Sequence, residues 1–282
     1  MKSIRRVICL VICMLLIGLL AGCAEFFGSR KSRYASSTVE YLYPEQDVVE
    51  VPTIPHLSLP LRVGVAFVPE GDGFKVKSRL SEKEKMDLMD RIVPEFKKLA
   101  FVKEITIIPS DYLTRRGSFA NLDQIRTMYG IDVIALLSFD QVQHTDEGFL
   151  SLSYWTIIGA YIIKGEKNDT NTMVDAAVYD ITSRKMLFRA PGTDHIKSSA
   201  TLANLTEQLR KDSSKGFHSA SDDLVINLQN ELDRFKTKIK EMPEEYVVEH
   251  KPGYTGGGSM GGAFSLLLLS LGGLALWRGR NR

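Results

Sequence analysis

Apolar segments at both ends of this 282-residue chain set the limits within which anything water-soluble can fold. At the start, Lys2, Arg5 and Arg6 precede an apolar run from Val7 to Leu20 that closes on Leu20, Ala21, Gly22 and Cys23. That run, residues 1–22 as a unit, has the charge-then-apolar layout of a signal peptide and is too short for a stable membrane span. At the other end, Gly256, Gly257, Gly258, Ser259, Gly261 and Gly262 lead into Phe264 and four consecutive leucines, Leu266 to Leu269. Residues 260–277 would reach roughly 27 Å as a helix, close to the thickness of a bilayer core. Arg278, Arg280 and Arg282 then form a basic tail, residues 278–282, that the positive-inside rule places in the cytosol. What remains for a globular fold is the interval 61–242, long enough for a substantial apolar core.

The first segment resembles the lipobox of bacterial lipoproteins. There, the thiol corresponding to Cys23 accepts a diacylglycerol, the signal peptidase of lipoproteins cuts before it, and acyl groups such as palmitate anchor the new N-terminus in the bilayer. Leu20, Ala21 and Gly22 supply the small, apolar approach to the cut. The plainer alternative is a secretory signal with an incidental cysteine. Ala24, where inner-membrane retention favours Asp, is similar to lipoproteins sent to the outer membrane. Cys9 and Cys13 lie in the removed part, so the mature chain keeps no thiol for an internal disulfide.

Each glycine weakens a helix by about 1 kcal/mol relative to Ala, so the patch over 256–262 is where the chain opens most readily to a protease. Gly-Gly, a short transmembrane stretch and a terminal basic cluster together resemble the GlyGly-CTERM sorting signal, whose protease is rhombosortase, a rhomboid-type intramembrane enzyme. A lipobox protein with such a tail is similar to the rhombotarget lipoproteins. A plain C-terminal anchor is the alternative. A protein with a lipid bound for the outer membrane cannot leave while its other end stays in the inner one, so cleavage in the glycine region is expected as the release step. The expected location is the cell envelope, in the periplasm or facing the surface.

Losing both ends removes six basic and no acidic side chains, which turns the formal charge of +2 into about −4. Nucleic-acid binding therefore has no electrostatic footprint. Residues 23–60, with Pro44, Pro52, Pro55 and Pro60, read as a lipidated N-terminus and extended tether, and 243–259 as a spacer. Between them, 61–68 reads as a buried strand, and Ser81 with Glu84 caps a helix that Pro94 should kink. A strand over 105–108 follows, then a helix capped by Asn121 with Gln124 and ended by Gly130, then a strand over 133–137. The long apolar stretch 149–163 precedes a turn at Lys167, Asn168 and Asp169, and strands over 173–181 and 185–189 join across Thr182 and Ser183. Two helices, one around Leu202 to Leu209 and one from Asp222 to Met242, close an α/β (α+β) fold: a mixed sheet with helices packed on it. This order is similar to small envelope domains: the N-terminal part of the Tol translocation protein, the curli secretion lipoprotein and penicillin-binding-protein activator lipoproteins. The resemblance implies a binding or assembly module for an envelope protein or polymer.

Candidate chemistry is sparse, and neither a catalytic residue nor a cofactor or metal is expected. Residues 257–261 match the G-x-S-x-G elbow without the strand and helix that expose its serine. Asp194 with His195, and His144 with Asp146 and Glu147, fall in expected loops, where they could serve a hydrolase or a metal. His56, His218 and His250 stand apart in the sequence. Asp222 and Asp223 suit the first turn of the last helix. Tyr154, Trp155 and Tyr161 could line a groove.

Overall fold

The computed structural model describes residues 29–44, 52–70, 80–97, 99–147, 166–252 and 254. The lipobox, the glycine cluster, the apolar C-terminal segment, the basic tail and Tyr154, Trp155 and Tyr161 lie outside the described residues. Among the described residues no helix is long and apolar enough to cross a membrane.

The order is β1 (Ser29–Ala35), α1 (Thr38–Leu42), β2 (His56–Leu59), β3 (Leu61–Phe67), α2 (Glu82–Lys97), β4 (Val102–Ile107), α3 (Ser118–Tyr129), β5 (Val133–Glu147), β6 (Glu166–Asp180), β7 (Met186–Ala200), α4 (Leu205–Glu241) and β8 (Val247–His250). Six strands form one mixed sheet in the order β4-β3-β5-β6-β7, with β1 also on β5. The first third of β5 pairs in parallel with β3, and its last half pairs antiparallel with β1 on the same side. A separate parallel ribbon joins β2 to β8. The expected mixed sheet with packed helices is therefore present.

Alternation along β5 explains the layering. Val133, Ala135, Leu137 and Phe139 join a core with α2 and α4, while Ile134 and Leu136 join a second core with α1 and α3. Past Phe139 the α4 side turns polar but stays buried: Gln141, Gln143 and Thr145. These bond to the neighbouring strand β6 and to the facing helix α4. Gln141 Nε2 donates to Thr172 Oγ1 at 2.8 Å, and Gln143 Nε2 to the Leu209 carbonyl at 2.9 Å. Each bond satisfies a polar group that burial would otherwise penalise.

Several local signals hold. Ser81 N donates to Glu84 Oε2 at 2.8 Å and Glu84 N to Ser81 Oγ at 3.3 Å, a reciprocal cap for α2, which continues through Pro94. Gly130 ends α3 with φ of 64°. Others are corrected. The proposed tether contributes β1, α1 and β2, and the proposed spacer contributes β8. Asn121 is inside α3, whose N-cap is Gly117; its Oδ1 accepts from the buried Tyr41 hydroxyl (2.8 Å) and from Thr114 N (2.9 Å). The expected turn at 167–169 lies within β6. The two expected C-terminal helices are one helix of 37 residues. Asp222 and Asp223 are therefore mid-helix, where Asp223 accepts from Thr193 N at 2.9 Å and Asp222 faces Arg91 at 3.4 Å.

Candidate functional site

The sheet brings together residues that the sequence keeps apart. His144, Asp146, Asp194 and His195, expected in loops, all lie on strands. Asp194 and His195, being adjacent on β7, point to opposite faces, so the proposed pair is split. Asp194 turns toward α4, where its Oδ2 is buried without a hydrogen-bond partner among the described residues. His195 turns to the face opposite α4, with Nε2 2.9 Å from Asp169 Oδ1. Asp169 also accepts from Asn171 Nδ2 at 2.8 Å, and its register partner on β5 is His144.

This polar row is open to solvent, with the His195 and Asp169 side chains 48% and 37% exposed. No hydroxyl among the described residues is hydrogen-bonded to either ring, and no group of three or more His, Cys, Asp or Glu there could hold a metal. His56 begins β2 and His250 ends β8, its ring 5.5 Å from that of Tyr254. His218 lies on α4 with a buried, unpartnered Nδ1 among the described residues.

The concavity is elsewhere. Between the sheet, α2 and the C-terminal half of α4 lies a cavity of about 270 Å³, closed at one end by the β2–β8 ribbon through Leu57, Leu59 and Val248. Its floor sits low because the strands place small side chains there: Val63, Val65, Val133, Ala135, Ala176 and Val178. Its roof hangs from the helices as Ile92, Phe96, Leu228, Leu232 and Phe235. Leu99, Phe101, Val102 and Ile239, all only partly buried, form a rim beside the edge strand β4.

Among the described lining residues only Lys236 and Lys240 carry a polar side-chain group, so the interior offers hydrocarbon and nothing to hydrogen-bond. A hydrocarbon-lined concavity of this size favours apolar guests; even an enclosed apolar cavity of about 150 Å³ accepts benzene.

Sequence reasoning missed this site. Its signal was the run of Val and Ala on neighbouring strands where Leu and Ile would fill the space, but only strand order shows that those residues adjoin.

Charge pairs fasten the cavity's closed end. Asp132 accepts from Arg62 N (3.0 Å), from the Arg62 guanidinium (2.9 Å to Nη2) and from Lys251 Nζ (3.2 Å). Burial pushes the Asp132 carboxyl upward, but these donors outweigh it and hold it below the ordinary carboxylate range. Asp175, under the sheet's other face, goes the opposite way: burial raises it, and Arg189 at 2.7 Å only partly compensates. Beside it, burial pushes the Tyr179 phenol up to about 12.

No sequence family and no curated protein matches the chain. Among solved structures it is similar to a homolog of the neuraminyllactose-binding hemagglutinin from Helicobacter pylori, with TM-score 0.36 and 7% identity over 71% of this chain and 99% of that one. It is also similar to dodecameric PelC from Paraburkholderia phytofirmans, with TM-score 0.27 and 10% identity over 70% and 98% of the two chains. A DUF330 protein from Xanthomonas campestris gives TM-score 0.29 and 12% identity over 66% and 95%. Likeness this loose transfers no ligand or activity.

Proposed function

We propose that this chain is a cell-envelope lipoprotein whose α/β domain is a non-catalytic binding module that takes an apolar group into the cavity between the sheet, α2 and α4. The carrying observation is that cavity: about 270 Å³ whose described lining side chains are apolar except for two lysines. Acylation of Cys23 would hold the protein at the membrane. A rhombosortase-like protease would remove the tail within 256–262, freeing the protein to move from the inner to the outer membrane. An envelope protein could present the apolar group, and so could a lipid.

The hydrolase reading rests on His195, His144 and Asp169 sharing one sheet face. It has less support, because that row lies on an exposed surface with no hydroxyl nucleophile bonded to it among the described residues.

Two measurements test the proposal. Intact-mass spectrometry of the mature protein should return an acylated Cys23 and a C-terminus within 256–262; an unmodified start and a full tail would refute the processing scheme. An uncharged diazirine-bearing hydrocarbon probe should label the peptide containing Val133 to Leu137 in the wild type and lose that labelling in Ala135→Trp, which fills the floor. Equal labelling of the two would refute the cavity as the site.

A further inference from the structure

We infer that the cavity's ligand is a single-chain amphiphile with an anionic headgroup, its hydrocarbon tail inside and its headgroup at Lys236 and Lys240. This rests on the binding role proposed above and adds the class of ligand. The part that enters must be hydrocarbon, because apart from the two lysines no described lining side chain offers a donor or acceptor. At about 270 Å³ the space lies just below the usual range for small-molecule sites, roughly 300–1,000 Å³, which suits one chain and not two.

The lysines set the polarity. Residues 236 and 240 are four apart on α4, hence on one face a turn from each other. Both line the cavity, so their methylene stems cover its mouth while the amines reach water. Lys240, exposed on α4, has no ion-pair or hydrogen-bond partner among the described residues. Lys236 lies 5.6 Å above the Phe101 ring and 2.8 Å from Asp233, whose side chain is 75% exposed. A pair that open to solvent is held weakly and can be exchanged for a bound anion.

One competing occupant is the chain's own apolar segment 264–269. The backbone leaves next to the cavity, since Lys251 N donates to the Leu59 carbonyl at 2.8 Å. A helix with side chains is about 10–12 Å across, however, and would need a wide trough instead of a slot between sheet and helices.

The test uses the acylated mature protein in phosphatidylcholine nanodiscs, photolabelled with diazirine palmitate. Competitors share one chain length: palmitate, lysophosphatidylglycerol, uncharged monoacylglycerol and zwitterionic lysophosphatidylcholine. Both anionic lipids should compete about tenfold better than the other two. Lys236→Gln with Lys240→Gln should erase that preference while retaining the uncharged competitor's effect. Because both lysines are surface residues, retained labelling also reports an intact fold. Equal competition by all four in the wild type would overturn the headgroup inference and leave the cavity reading standing. Competition by palmitate without lysophosphatidylglycerol would restrict the site to free fatty acids and overturn the broader class. Failure of diazirine palmitate to label the cavity strands at all would overturn the cavity reading itself. Labelling that is absent from full-length protein and from tail-cleaved protein still holding its tail peptide, but appears once that peptide is washed out, would identify the tail as occupant and refute the inference.

Discussion

Two carboxylates, Asp132 partly buried and Asp175 fully buried, have opposite electrostatics. Asp132 is held below the ordinary carboxylate range once its donors have outweighed burial. Its contribution is therefore complete above the unfolded-state value and disappears as the pH falls through the depressed one. Asp132→Asn should lower stability near pH 7 by about 2 kcal/mol and flatten the acid limb of a melting-temperature profile. Asp175 has a raised value, so its sign is reversed: stability is fullest below the ordinary carboxylate range and falls as the pH rises through the raised one. Asp175→Asn keeps an oxygen for Arg189, which is half exposed and needs no strong partner. Its melting temperature should exceed the wild type's at pH 7 and converge with it near pH 4, a difference that differential scanning calorimetry resolves.

Among the elements, α4 organises the molecule, and it was also read least well. The interval between the two expected helices is helical as well, and two of its small residues, Ser213 and Gly216, meet the sheet. Ser213 Oγ donates to Gln141 Oε1, and a Cβ at Gly216 would lie 2.4 Å from Thr172 Oγ1. Tertiary contact overrides local propensity here. Gly192 shows the same closeness from the strand side: a Cβ there would meet the Ala220 carbonyl at 2.1 Å and Leu224 N at 2.4 Å. Those are helix backbone atoms that cannot swing aside, so Gly192→Ala should cost about 2–3 kcal/mol, measurable by urea denaturation. The strands show what one sequence can and cannot say. Residues 61–68 and 133–137 were legible from apolar runs, but β5 continues to Glu147 on Gln141, Gln143 and Thr145. A polar stretch that is buried against polar partners carries no hydrophobic period, so it reads as loop. The same gap displaced His144 and His195 from their strands.

Viewed whole, the molecule has two ends. Ser29 pairs with Asp146 near the end of β5, while Lys251 bonds Asp132 just before its start. Fifteen residues of strand separate those ends by roughly 45 Å. Cys23, six residues before Ser29, can lie no more than about 21 Å from it. The cavity, which takes Val133, Ala135 and Leu137 from the opposite third of β5, is thus carried away from the proposed acyl anchor. In lipid-tethered protein on vesicles, a spin label at Ser199 should be relaxed by a nickel-chelating lipid more strongly than one at Lys103. Equal relaxation would mean that the domain lies flat. The most direct test of the binding role is native mass spectrometry of the mature protein released gently from its own membranes. A non-covalent adduct the mass of one acyl-chain amphiphile should appear on the wild type, vanish under denaturing conditions and be missing from Ala135→Trp. Native and denatured masses that agree for the wild type, with no adduct at any lipid supply, would contradict the account.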